Sequence, residues 1–356
     1  MVPVCTGARW QTGRVNSLSR RTLLAGTAAG LLGAAGCGAG HTHAPAPAPT
    51  SPTPPLTATT RTPTGVPTTA SASPSASGAA LPAVTVWQPS SNDIDPQVKL
   101  RAVQLVEALG NWSQGQQGTA AARSRVAALG LDPALAGQAG ALLSQAPRAA
   151  LQVLEAQYGG ILSDSASVLV VCRQWTQDAN GLVVPGGTTV DVRLSLAQPR
   201  WTVTALHPAQ PGPAVTPLPS AAQRVLASSA ITLPPAAEAD LHSGTIHDSV
   251  LEALLTLSRS YRMELSVVRS GHPLDVFGTT RPSDHPQGRA FDVWRVDGHA
   301  VVDPATSQSL VQGFMRAAAA AGSYNVGGPW QLSGGSGNQF FSDDTHHDHV
   351  HVGFSS

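Results

Sequence analysis

Residues 283–294 read SDHPQGRAFDVW and residues 348–352 read DHVHV, and these two stretches indicate the fold of the C-terminal third of the chain. In the first stretch, alternate side chains from residue 289 to residue 296 point to opposite sides, which predicts a β-strand carrying Asp292. In the second, His349 and His351 are two positions apart, so a strand places both imidazoles on one face. The two stretches therefore predict two strands that present an aspartate and two histidines.

The predicted strand around Asp292 has a chemical requirement. An aspartate in an apolar strand is costly to bury unless a cation or hydrogen bonds compensate its charge. Gly288 permits a tight turn that brings His285 close to that strand. Of His349 and His351, one would be a ligand and the other a neighbour that hydrogen-bonds substrate. Two imidazoles, one carboxylate and an open fourth position are typical of zinc.

The two motifs also resemble a known family. The matching positions are Ser283-x-His285-x-x-Gly288-x-Ala290-x-Asp292 and Asp348-His349-x-His351. They resemble the zinc D,D-peptidases and D,D-carboxypeptidases, a group related to the hedgehog signalling domain, over residues 241–354. The resemblance implies one Zn²⁺ per chain, with His285, Asp292 and His351 as ligands. It also implies that Asp348 is the general base, where glutamate is more usual, and that His349 steadies the oxyanion.

The family usually carries Ser-Gly-Tyr-Arg on the preceding strand, and that arginine binds the substrate carboxylate. Here Ser270-Gly271 is followed by His272-Pro273. Arg269 and Arg281 are nearby candidates, because a guanidinium pairs bidentately with a carboxylate. Neither arginine matches the family position, and Ser283 is a further substrate-binding candidate. The choice of substrate therefore stays open.

The N-terminal residues 1–37 are typical of an export signal. Residues 19–24, SRRTLL, resemble a twin-arginine signal, and residues 34–37, AAGC, resemble a lipoprotein processing box with Cys37 as the acylated residue. This predicts an exported protein, lipid-anchored to the outer face of the cytoplasmic membrane and facing the cell wall. An ordinary cleaved signal with an incidental Cys37 is the alternative. Residues 38–84, rich in Pro, Thr, Ser and Ala, predict a disordered linker.

Charge and cysteine content exclude some classes of function. The 21 basic and 21 acidic residues cancel, so no basic field attracts a phosphate backbone, and nucleic acid is not expected as a partner. Cys172 is the only cysteine after residue 37 and has no partner for an internal disulfide. Its valine neighbours favour a buried, unreactive thiol.

The remaining chain predicts an α+β protein with two domains. Residues 85–210 form a helix-plus-meander domain of unknown role, with helices at 94–109, 120–129, 133–143 and 147–158 followed by strands at 167–176, 190–196 and 201–206. Residues 219–356 form the zinc-peptidase-like domain, a small antiparallel sheet with flanking helices. Its helices are expected at 235–241, 245–261 and 306–321, and its strands at 264–269, 289–296 and 347–354.

These features lead to one main functional hypothesis and two alternatives. The main one is a zinc-dependent hydrolase of peptidoglycan stem peptides, a carboxypeptidase or endopeptidase of the cell envelope. The first alternative is a non-catalytic, zinc-stabilised lipoprotein that binds cell-wall peptide or a protein partner. The second is a zinc-scavenging lipoprotein that binds more than one metal ion. That alternative depends on His346, His347, His349 and His351.

Overall fold

Six helices and two β-sheets make up the part of the protein that its computed structural model describes, residues 79–356. The predicted export signal, the lipidation site Cys37 and the linker as far as residue 78 lie outside the described residues. The α+β class is confirmed. Among the described helices, none combines the length and the apolar character that a membrane crossing needs.

The first region, residues 79–210, packs two helices on an antiparallel sheet. The helices are α1 (Pro96–Gly110) and α2 (Gly118–Ala128), followed by 3₁₀ turns at Pro133–Gln138 and Gly140–Leu142. The strands, in the order β1-β2-β3-β4, are β1 (Arg148–Ile161), β2 (Ser165–Gln177), β3 (Val183–Ser195) and β4 (Thr202–Pro208). Apolar side chains of α1, among them Val98 and Val106, fill the core between helix and sheet. Cys172 lies in that core, and burial raises the pKa of its thiol to about 12.

The helix predicted at residues 147–158 is wrong, because this segment is β1. Its Ala, Leu, Glu and Gln residues favour a helix, but pairing with β2 from Arg148 to Ile161 outweighs that preference. Both faces of β1 are largely buried, so the alternation that would have marked a strand is missing. The helix predicted at 133–143 is also wrong. It is replaced by the two 3₁₀ turns, and Gly140, the first residue of the second turn, has a φ of +53°.

The second region carries a seven-stranded sheet and four helices. The helices are α3 (Ser220–Leu226), α4 (Pro235–His242), α5 (Asp248–Leu257) and α6 (Gln308–Ala320). The strands are β5 (Ile231–Thr232), β6 (Met263–Val267), β7 (Ala290–Val296), β8 (His299–Ala300), β9 (Asn325–Gly327), β10 (Phe340–Phe341) and β11 (Val350–Gly353). Their order is β10-β9-β11-β7-β6-β5, and β8 pairs with β7. Phe291, Phe314 and Leu254 belong to the core of this region.

The small antiparallel sheet predicted for this region is correct at its centre and wrong at its ends. Strands β9, β11, β7 and β6 pair in antiparallel fashion, whereas β10 pairs with β9 and β5 pairs with β6 in parallel. Parallel neighbours need a crossover connection. Helices α4 and α5 provide the crossover from β5 to β6, and the long loop after Gly327 provides the one from β9 to β10.

The register of the central strands brings the predicted ligands together. His351 on β11 lies directly opposite Asp292 on β7. His285 lies in the loop before β7, and that loop turns at Gly288, where φ is +72°. A Cβ atom at Gly288 would lie 2.3 Å from the backbone oxygen of Thr245. A residue without a side chain is therefore required where the loop passes the backbone of Thr245, three residues before α5 begins.

Candidate metal centre

Three predicted ligands converge on one point in the second region. The Nε2 atom of His285 lies 3.1 Å from Oδ1 of Asp292 and 3.1 Å from Nδ1 of His351. The third side of this triangle, from Nδ1 of His351 to Oδ1 of Asp292, is 3.0 Å. Three ligands at about 2.0–2.1 Å from a tetrahedral zinc ion lie about 3.3 Å from one another. The triangle is therefore close to the size that a single bound metal ion requires.

The hydrogen bonds and charges of the three side chains suit a cation. The carbonyl oxygen of Val268 only accepts hydrogen bonds and lies 2.9 Å from Nδ1 of His285, so Nδ1 carries a proton and donates to it, and Nε2 is the ring nitrogen directed at the centre. Burial alone would raise the pKa of Asp292, but His285 and His349 hold it well below its usual range. Burial lowers the pKa of His351 to about 4. Two imidazole nitrogens and an ionised carboxylate thus face a common centre.

His272 is a fourth group beside this centre. His272, His285 and Asp292 form a group that could hold a metal ion, with ligand atoms within 4.8 Å of one another. The rings of His272 and His285 stack with their centroids 4.2 Å apart, and Nδ1 of His272 lies 3.0 Å from the carbonyl oxygen of Pro273. His351 contacts both shared partners at about 3 Å, so the set with His351 fits a single ion more tightly. His272 is then a neighbour that covers one side of His285.

Asp348 and His349 form a buried pair next to the triangle. Oδ1 of Asp348 lies 2.6 Å from Nδ1 of His349, and Nε2 of His349 lies 3.7 Å from Oδ2 of Asp292. The other carboxylate oxygen of Asp348 lies 2.5 Å from Nζ of Lys99 and accepts a hydrogen bond from the backbone N–H of Tyr158 at 3.0 Å. Asp348 thus contacts His349 and not the triangle itself, and its role as general base stays a prediction.

The charges around Asp348 keep it ionised. Burial alone would raise the pKa of Asp348, but Lys99 and His349 lower it to about 2. Burial alone would lower the pKa of His349, but Asp292 and Asp348 raise it. Asp348 is therefore an ionised carboxylate in contact with His349, and the raised pKa of His349 favours its protonated form.

Two residues of the first region reach this site and were missed from the sequence. Lys99 on α1 contacts Asp348, and Gln157 on β1 donates a hydrogen bond from Nε2 to Oδ2 of Asp292 at 2.7 Å. Lys99 is the only lysine in the chain and lies on the apolar side of a predicted helix. A charged residue at such a position indicates a buried ion pair. Gln157 gave no such indication, since its segment was predicted as a helix.

A cavity of about 580 Å³ opens next to the triangle. His285, His349 and His351 line it, and the predicted substrate-binding residues Arg281 and Ser283 line it as well. The structure thus brings Arg281 and Ser283 to the cavity of the candidate metal centre. The oxygen of Ser283 also lies 3.4 Å from Nδ1 of His272.

Arg269 does not share this cavity. It lines a second cavity of about 670 Å³, and His272 contributes to the walls of both. Its guanidinium donates to the carbonyl oxygen of Pro211 at 3.3 Å and lies 3.9 Å from Asp240. The structure therefore separates Arg269 from the predicted ligands.

The remaining histidines of the C-terminal cluster point to different partners. Nδ1 of His346 lies 2.7 Å from Oδ1 of Asp343, and Nε2 of His347 lies 3.4 Å from Nδ2 of Asn92. His346 lines the 580 Å³ cavity, and its ring centroid is 5.6 Å from that of His351. His346 and His347 thus do not form a common ligand set with each other.

Comparison of the chain with protein-family models, with curated proteins and with solved structures gave no match.

Proposed function

We propose that the protein is a zinc-dependent hydrolase of peptidoglycan stem peptides, a carboxypeptidase or endopeptidase that acts in the cell envelope. The observation that carries this proposal is the triangle of His285, Asp292 and His351, with sides of 3.0–3.1 Å, at the wall of a cavity. The donor atoms are two nitrogens and one oxygen, which is a set that zinc enzymes use when a fourth position is open.

The buried environment supports a cation at this point. Nε2 of His285, Nδ1 of His351 and Oδ1 of Asp292 lie within 3.1 Å of one another in a buried setting, and one cation could bind all three. A bound zinc ion would polarise a substrate carbonyl and lower the pKa of water to about 7. The chain itself supplies the groups that orient the substrate and transfer protons.

In this proposal, His349 is the residue that acts on the reacting amide. Its Nδ1 is fixed by Asp348, so its Nε2 faces the side of the centre where Asp292 lies. The two neighbouring carboxylates favour the imidazolium, which stabilises negative charge on an oxygen as it develops in the transition state. Asp348 then acts through His349, and Lys99 keeps Asp348 ionised.

Arg281 is the candidate for the substrate carboxylate. It lines the same cavity as His285 and His351, and a guanidinium binds a carboxylate through paired hydrogen bonds. A stem peptide that ends in a free carboxylate fits such a cavity. The export signal and lipid anchor predicted for residues 1–37 support a substrate in the cell wall.

The enclosure of Asp348 favours a second candidate function. Both of its oxygens are already engaged, by His349 on one side and by Lys99 and the Tyr158 amide on the other. A carboxylate held in this way supports a structural role equally well. The alternative is a non-catalytic, zinc-stabilised lipoprotein that binds cell-wall peptide or a protein partner.

Incubation of the zinc-loaded full-length protein with purified muropeptides separates the two candidates. For the hydrolase we expect shortened peptides in the mass spectrum and a decrease of about 10²–10³-fold in kcat for His349→Ala. His299→Ala, a change at an exposed histidine outside the site, is the control. Saturable binding of muropeptides without any product would refute the hydrolase and favour the binding lipoprotein.

A further inference from the structure

Gln157 connects the first region to the metal centre through a buried side chain. It lies on β1, has no exposed surface, and donates from Nε2 to Oδ2 of Asp292 at 2.7 Å. Its Oε1 accepts a short hydrogen bond from the hydroxyl of Ser266 on β6. The side-chain amide of Gln157 thus contacts residues of β6 and β7, two strands of the other sheet.

The orientation of the Gln157 amide is fixed by its partners. An ionised carboxylate only accepts hydrogen bonds, so the NH₂ group of Gln157 must face Asp292. The hydroxyl of Ser266 then donates to the remaining amide oxygen and is itself 3.4 Å from the backbone oxygen of Asp292. Gln157 therefore holds the Asp292 carboxylate through Oδ2, and Ser266 in turn holds the Gln157 amide.

The two oxygens of Asp292 are distinguished by this arrangement. Oδ1 faces Nε2 of His285 and Nδ1 of His351, whereas Oδ2 is occupied by Gln157. A carboxylate with one oxygen held in a strong hydrogen bond offers only the other to a metal ion. One-oxygen ligation leaves room for a further ligand at the centre.

We infer that Gln157, a residue of the first region, is a positioning residue that holds Asp292 as a one-oxygen ligand of the metal ion. The inference rests on the metal function proposed above and extends it, because it assigns a role to a region in which the sequence showed no functional residue. Partners behind metal ligands typically contribute 10–100-fold to metal affinity. The first region is thereby a component of the metal centre.

The test is Gln157→Leu in the full-length protein, with zinc affinity measured by competition with a chromophoric chelator. Leucine has a similar volume and lacks the hydrogen-bond donor, so we expect zinc affinity to fall about 10–100-fold. We also expect the visible absorption of the Co²⁺-substituted variant to weaken, because a released Oδ2 allows two-oxygen ligation and a higher coordination number.

Gln174→Leu is the matched control. Gln174 lies on the neighbouring strand β2, is also buried, and donates from Nε2 to the carbonyl oxygens of Gly110 at 2.8 Å and Leu142 at 2.9 Å. Its loss removes a comparable buried amide far from the ligands, so stability falls while zinc affinity and the Co²⁺ spectrum stay those of the wild type. A general effect of weakened packing would change both variants alike.

The outcomes separate this inference from the proposed function. Equal zinc affinity and equal Co²⁺ spectra for wild type and Gln157→Leu would overturn the role of Gln157 and leave the hydrolase proposal standing. A wild-type protein that binds no zinc would overturn both. Reduced affinity in Gln157→Leu together with no hydrolysis by the wild type would support the positioning role and refute the hydrolase.

Discussion

At the scale of single residues, one buried cation balances several buried acids. Lys99 is fully buried, and its ammonium contacts Asp93 and Asp348. Burial alone would lower the pKa of Lys99, but Asp348, Asp93 and Glu155 raise it. Burial raises the pKa of Glu155 to about 7, although Lys99 opposes this shift. Glu155 is therefore the acid of this group that changes charge near neutral pH.

Glu155 is expected to make the protein less stable as pH rises. Its pKa is about 7 in the folded protein and 4.5 when unperturbed, so the folded state holds more protons between these values. Its stabilising contribution is complete below about pH 4.5 and is lost as pH rises through 7. Between pH 5 and pH 8, titration of Glu155 should therefore lower the unfolding free energy of the wild type by about 2–3 kcal/mol. The Glu155→Gln variant should not show this decrease.

Urea unfolding at the two pH values measures this difference. Glu252→Gln is the control, because Glu252 is exposed and pairs with Arg224 at the surface. It should leave the pH dependence of the wild type unchanged. If wild type and Glu155→Gln lost the same stability between pH 5 and pH 8, Glu155 would not be the group that titrates.

At the scale of elements, the loop between His285 and Asp292 determines whether the ligands meet. Gly288 and Gly298 both have positive φ angles, of +72° and +83°. A Cβ atom at Gly298 meets nothing within 4 Å, whereas one at Gly288 would lie 2.3 Å from the backbone of Thr245. The two glycines share the left-handed backbone conformation and differ in the space around them.

Gly288→Ala is accordingly expected to be much more harmful than Gly298→Ala. The left-handed conformation alone makes each alanine about 1–2 kcal/mol less stable. Gly288→Ala must also move the loop away from Thr245, so we expect a loss above about 3 kcal/mol, together with weaker zinc binding. Thermal unfolding and zinc titration of both variants check this. Similar losses in both variants would show that the loop tolerates the shift.

The elements also show how far the sequence predicts this structure. The strands around Asp292 and His351, and the convergence of His285 with both, were predictable because the motifs are local and the strands pair directly. The strand nature of β1 was not, because its partners are distant in sequence and both of its faces are buried. Gln157 was missed with it, since its contact to Asp292 spans 135 positions.

Lys99→Met tests the link between α1 and the segment before β11. Removing the ammonium leaves the Asp348 carboxylate buried without its main counter-charge, and such a loss typically destabilises by about 3–5 kcal/mol. Arg224→Met, which breaks an exposed ion pair with Glu252, should change stability by at most about 1 kcal/mol. Urea unfolding measures both.

The double variant Lys99→Met/Asp348→Asn shows the cause of the loss. Removing both charges should restore part of the stability that Lys99→Met loses, because no uncompensated charge remains at Asp348. If the double variant were as unstable as the sum of the two single variants, Lys99 would act through packing and not through its charge.

At the scale of the whole molecule, polar contacts cross the boundary that the sequence predicts at residues 210–219. Each side of that boundary has its own hydrophobic core. A small apolar cluster of Leu169, Val171 and Val267 lies between the two sheets. The contacts of Gln157 with Asp292 and of Lys99 with Asp348 add to it. The described residues accordingly belong to one compact unit.

Zinc removal should therefore loosen both sheets and not only the one that carries the ligands. Zinc at 100 times its Kd stabilises the folded state by about 2.7 kcal/mol, and a chelator removes this contribution. In the zinc-bound form that we propose, Asp292 would be held by both the ion and Gln157, so removal of the ion should loosen β1 as well as β7. Hydrogen–deuterium exchange with and without chelator should show lower protection in β1, β7 and β11. The edge strand β4 is separated from β1 by two strands and serves as the internal control. If protection fell in β7 and β11 while β1 kept its wild-type value, the two sheets would not be coupled through the metal centre.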